Sequence, residues 1–130
     1  MTMTLELRFQ IEALTNELIQ KAECAINDMH LYCTSSQAEH GFRHAIRVCD
    51  QGTAGAVLDN WVRFVSVKRT TGPAYHLFCG NATIFLKHLQ AVRNGFLASL
   101  SGKRFDAEMA LVKKFLGYCK MHAVIKTSKT

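Results

Sequence analysis

The residues with the most chemical potential cluster in one short run. His40, Arg43, His44 and Arg47 recur at i, i+3, i+4 and i+7, a spacing that projects four side chains from one side of a helix. Ala38, Phe42, Ala45, Ile46 and Cys49 take the other side, so a basic stripe backs onto an apolar one. Arg43 and Arg47 then stand about 6 Å apart. His40 and His44 also have the four-residue spacing that brings two imidazoles to one metal. No third ligand is local: Glu39 and Glu23 would serve only if the fold brought them near, and no His-Glu-x-x-His occurs. The favoured reading is two polar histidines on a solvated or phosphate-facing stripe, with no metal and no cofactor.

Two later segments repeat the cationic theme. Lys87, Gln90 and Asn94 recur at steps of three and four, with Arg93 alongside; Lys113 and Lys120 are seven apart, flanked by Lys114. Three helices that each present cations with few competing acids have the composition of a phosphate-tracking groove. Gly95 follows Arg93 and Asn94, and is read as a tight helix crossing in preference to a point of close backbone approach by a ligand. Taken separately, each stripe also reads as an ordinary solvated helix face.

Catalytic patterns are incomplete. Arg93-Asn94 is similar to the opening of the Arg-polar-x3-His motif of HEPN-type helical ribonucleases, but the histidine position is Ala98. Arg69 and His76 straddle Pro73 and do not share a helical face. There is no Gly-x-Gly-x-x-Gly, P-loop or Gly-x-Ser-x-Gly, and Asp59 is the only acid between Asp50 and Asp106. The cysteines, Cys24, Cys33, Cys49, Cys79 and Cys119, form no Cys-x-x-Cys pair. Most are expected as buried small hydrophobes in a reducing compartment, without a disulfide framework. No catalytic residue is assigned and enzyme activity is not expected.

The balance of charge agrees with the stripes. Residues 1–39 hold six acids and two bases, a net −4, whereas residues 40–130 hold fourteen bases and four acids, a net +10. Asymmetry of this kind indicates a polyanionic partner, although net charge also serves solubility. At 130 residues, 48% hydrophobic and 20% charged, the chain has the composition of one folded domain, not of a disordered or collagen-like one. No stretch approaches the roughly 20 apolar residues of a membrane helix, and the opening MTMTLELRFQ lacks a secretory h-region. A cytoplasmic domain with no membrane partner is the expectation.

Helical periodicity supplies the elements that hold these residues. Leu7, Ile11, Leu14, Leu18, Ala22, Ala25 and Met29 predict one helix over 4–29, roughly 39 Å long at 1.5 Å per residue. Ser36 and Glu39 have the spacing of a capping box opening a helix over 36–49, and Thr53 is placed to cap the next. Over 54–69, Val57, Leu58, Trp61, Val62 and Val65 give a helical face, preferred over a rival strand at 61–68. A short segment at 74–79 precedes Asn81, which is placed to restart the helix. Phe85, Leu89, Val92, Phe96 and Leu100 define 82–100, closed by Ser101-Gly102. Asp106 is placed to cap a last helix carrying Met109, Val112, Leu116 and Cys119. The expectation is an all-α bundle of about five helices, one domain over 1–126, with a frayed tail at 127–130.

Together these features point to a small basic helical protein that contacts nucleic acid through the phosphate backbone without base specificity. The expected contacts are His40, Arg43, His44, Arg47, Lys87, Arg93, Asn94, Lys113, Lys114 and Lys120. In size, helicity and charge the chain is similar to the small helical subunits of CRISPR effector complexes, a likeness of class that no residue motif carries. It implies other protein subunits, or further copies of the chain, as partners. The alternative is a protein-interaction or self-assembly module using the acidic first helix. A ribonuclease-like enzyme is third, resting on fold class and charge alone.

Overall fold

The last long apolar segment sets the architecture. A computed structural model of the chain describes residues 5–51, 55–69, 72–96 and 104–128, with side chains for all of these except 51, 55 and 104–107. Among the described residues there are seven helices and no strand: α1 (Leu5–Ala13), α2 (Thr15–Asp28), α3 (Ser35–Gln51), α4 (Gly55–Val67), α5 (Pro73–Phe78), α6 (Ala82–Phe96) and α7 (Arg104–Thr127). In α7, Leu111, Val112, Phe115, Leu116, Cys119 and Ala123 are all buried. That band is too wide for a single stripe, because α7 packs against α3 and α2 and also touches α6 and α1. The expected stripe covers only part of it, and Met109 is half-buried at its edge.

An aromatic cluster joins the other helices to this centre. The Phe78 ring centroid lies 5.9 Å from Phe42, 5.9 Å from Trp61 and 5.2 Å from Phe85, and Phe85 is 6.4 Å from Phe115. One set of edge-to-face, tilted and stacked contacts therefore links α3, α4, α5, α6 and α7. No described helix is long and apolar enough to cross a membrane.

Seven helices replace the expected five for two local reasons. The first long helix breaks at Leu14, whose amide donates to the Ile11 carbonyl, a tight three-residue turn, before α2 resumes at Thr15. Thr15 and Asn16 favour caps and turns over helix interiors. The second reason is α5, where Pro73 occupies the first helical turn and needs no amide partner there. Gly72 precedes it at φ 63°, a conformation that favours glycine.

Several caps are built from residues other than the expected ones. The capping box at α3 is Thr34 with Gln37: the Gln37 amide donates to Thr34 Oγ1 at 3.1 Å and the Thr34 amide to Gln37 Oε1 at 2.9 Å. Ser36 and Glu39 do not form it, because the helix starts one residue before Ser36. Asn81 does restart the helix, standing immediately before α6 with its carbonyl accepting from the Phe85 amide; its buried side chain also ties tertiary structure, accepting from the His30 amide and donating to the His30 and Leu77 carbonyls. Asp106 lies inside α7, not ahead of it. The helix from 82 is described to Phe96; Thr53, Leu100, Ser101 and Gly102 lie outside the described residues. Thr127, expected as the first residue of the tail, belongs to α7, its hydroxyl donating to the Ala123 carbonyl.

The last helix also closes the second. Lys126 Nζ donates to the carbonyls of Ile26 and Met29, both at 2.8 Å, supplying positive charge at the negative end of α2. On the same end His88 contacts Asp28 at 2.6 Å.

Gly41 marks a close helix crossing, and Gly95 does not. A Cβ on Gly41 would fall 2.7 Å from Leu77 Cδ2 and 3.2 Å from the Pro73 carbonyl, whereas one on Gly95 would meet nothing within 4 Å. We therefore expect Gly41→Ala to prise α3 from α5 and cost about 1–3 kcal/mol. Gly95→Ala should leave the melting temperature unchanged or raise it. Thermal denaturation of the two variants checks the assignment.

Candidate nucleic-acid interface

Some of the basic residues, His44, Arg47, Arg63 and Lys87, stand around α4, which packs against α3, α5 and α6. Its buried residues, Leu58, Val62 and Val65, recur at steps of four and three and turn the opposite side of the helix outward. That outward side carries Asn60, Arg63, Phe64, Val67 and Lys68. A groove lies along each flank. On the α3 flank, His44, Arg47, Val48 and Trp61 line a groove of about 180 Å³. On the α6 flank, Asp59, Arg63, Ala82, Thr83, Leu86, Lys87 and Gln90 line one of about 310 Å³.

The two grooves bring together only some of the expected residues. His44 and Arg47 share the first, exposed, and Lys87 stands exposed in the second. Arg43 is held by Glu39 at 3.2 Å, and Lys113 by Asp50. Such exposed pairs contribute about 0–1 kcal/mol, so they bias the cations without locking them. His40 lies 3.5 Å from the Ser36 hydroxyl, and Asn94 accepts from Gln90 at 3.2 Å. Lys114 and Lys120 are half-exposed on α7 and line neither groove. Among the described residues no group of three or more His, Cys, Asp or Glu is placed to hold a metal.

Arg93 is the main correction. Instead of facing a ligand it is buried, at 5% exposure. Its Nη1 donates to both Asp59 oxygens at 3.0 and 3.2 Å, and its Nε lies 3.6 Å from Glu108. A fork of donors suits such a bridge better than an ammonium would. The signal was in the spacing: Leu89, Val92, Arg93 and Phe96 run at i, i+3, i+4 and i+7, so Arg93 shares the apolar face. A cavity of about 10 Å³ beside it is lined by Val48, Cys49, Leu58 and Met109 among others.

This bridge and its neighbours determine the electrostatics of the surface. Of the four acids beyond residue 40, Asp59 and Glu108 face Arg93 and Asp50 faces Lys113, while the Asp106 side chain lies outside the described residues. Arg47, Arg63 and Lys87 are exposed and make no ion pair among the described residues. Arg63 and the aromatic pair Trp61 and Phe64 were not anticipated as contacts. The run without acids from Asp59 to Asp106 contains Arg63 and pointed toward it.

The thiols offer little chemistry. All five cysteines are free, and burial pushes the Cys119 thiol well up and that of Cys49 up to about 11, the latter only partly offset by Arg93 and Lys113. Cys24 and Cys79 are exposed and Cys33 is half-buried, so fewer are buried than expected.

No protein-family model, curated protein or solved structure matches this chain.

Two outcomes follow. Arg93→Ala leaves two carboxylates facing a void and is expected to cost about 3–5 kcal/mol. Arg93→Met, which keeps the volume, should cost less, and denaturant titration of both variants measures the difference. Cys49 sits near 11 when folded against an ordinary value of 9.0. Its protonated form therefore stabilises the fold below pH 9, and that contribution is lost as pH rises from about 9 to 11. Cys49→Ala should flatten the fall in melting temperature across that window.

Proposed function

We propose that this protein binds nucleic acid through the phosphate backbone, using the surface centred on α4. The observation that carries the reading is the pairing pattern. Asp50, Asp59 and Glu108 are engaged by cations, and exposed Arg47, Arg63 and Lys87 stand on the walls of two grooves that flank one helix. Cations so placed attract phosphates and release their counterions, an interaction that carries no direct base information. The described surface has no zinc site and no base-reading motif to add specificity.

A second reading has its own observation. Leu5 and Phe9 are each 64% exposed on α1, one turn apart, beside the exposed Glu6 and Glu12. An apolar pair with an acidic rim suits a basic protein partner or the basic half of another copy. This reading concerns a different helix, and the two surfaces are compatible.

The test is a salt titration. Wild-type protein should bind a labelled mixed-sequence oligonucleotide at low salt, with affinity falling steeply as salt rises. The variant Arg47→Ala/Arg63→Ala/Lys87→Ala should bind more weakly, with a salt slope shallower by about three, one per lost phosphate contact. Its circular dichroism should match the wild type, since all three side chains are exposed. Absence of binding by wild type at low salt, or an unchanged slope in the variant, contradicts the proposal.

A further inference from the structure

The outward side of α4 carries more than cations. Phe64 is 53% exposed between the two grooves, and Val57 and Val67 are exposed on the same helix. Lys68 Nζ sits 5.3 Å from the Phe64 ring centroid. Trp61, three residues earlier, packs edge-on against Phe78 and turns its remaining surface into the α3 groove. Apolar and aromatic surface is thus placed between the cations of the two grooves.

We infer that this crest takes single-stranded nucleic acid, with an unpaired base stacked on Phe64 and the adjoining phosphates drawn to Arg47 on one flank and to Arg63 and Lys87 on the other. The inference rests on the backbone-binding reading and narrows it. A duplex keeps its bases stacked inside and offers a surface of phosphate and sugar, which satisfies the cations but leaves Phe64, Val57 and Val67 facing water. A single strand offers both phosphates and free base faces, and every base has a π-face, so stacking needs no sequence preference. Among the described residues the outward side of α4 itself offers few side chains able to read base edges in a groove, chiefly Asn60 and Arg63. A protein partner covering the same apolar strip would have to be acidic to face Arg47, Arg63 and Lys87.

The experiment compares a mixed-sequence single strand, as DNA and as RNA, with a duplex of the same sequence, using wild-type protein, Phe64→Ala and Phe64→Leu. Fluorescence anisotropy gives affinity and salt slope, and a 2-aminopurine base in the strand reports stacking. The expected result is tighter binding of the single strand, quenching of 2-aminopurine by wild type, and about tenfold weaker single-strand binding by Phe64→Ala. Phe64→Leu should lose most of the same affinity, because it keeps apolar bulk without the π-face. Neither variant should change the salt slope, since no cation is removed. Equal affinity for duplex and single strand, with Phe64→Ala indistinguishable from wild type, overturns the inference while leaving backbone binding intact. Failure of wild type to bind any strand at low salt removes both. A change in sedimentation of Phe64→Ala without any change in strand binding identifies the crest as a contact between copies and also overturns it.

Discussion

A buried guanidinium between two carboxylates underlies both the packing and the surface of this protein. Arg93 on α6 reaches Asp59 on α4 and Glu108 on α7, so one side chain fixes three helices against each other. Removing a charge from water is costly unless it is paired; here Asp59 accepts two hydrogen bonds from Nη1, and Glu108 adds a longer ionic contact to Nε at 3.6 Å. The bridge also acts on the surface. Asp59 lines the groove that holds Arg63 and Lys87, and unpaired it would repel an approaching phosphate. Held by Arg93, it leaves the groove positive.

Some cations of the basic half serve the fold: Lys126 closes the end of α2, Arg93 forms the bridge, and Arg43 and Lys113 face acids on α3. Arg47, Arg63 and Lys87 are exposed on the walls of two grooves around a single helix, whereas Lys114 and Lys120 stand half-exposed on α7 away from both. A net charge alone would be compatible with a uniformly basic surface kept for solubility. The placement of Arg47, Arg63 and Lys87 on the two flanks of α4, with exposed Phe64 between them, favours a ligand that has both phosphates and rings.

Much of the fold was legible because periodicity reports burial. Phe85, Leu89, Val92 and Phe96 were assigned to one face and are buried, as are Ala38, Phe42, Ala45 and Cys49. The misreading of Arg93 has one cause: residue type was weighed above register. Arg93 is polar but continues the apolar face of α6, so it is interior. Val57 is apolar and was placed on the buried face of α4, but it is out of register with Leu58, Val62 and Val65 and is exposed, as is Phe64. Of the expected contacts, His44, Arg47 and Lys87 are exposed and line the two grooves. Their meeting around α4 depends on helix packing, which no local spacing encodes.

Trp61 gives the most direct measure of whether nucleic acid occupies this surface. It is the only tryptophan in the chain and lines the groove with His44 and Arg47, so with the fold intact its emission responds to what enters that groove. Titration with an unlabelled single strand at low salt should change the intensity or wavelength of Trp61 emission in step with binding, and added salt should reverse the change. Binding detected by anisotropy with no response from Trp61 would contradict the account and place the nucleic acid elsewhere on the protein.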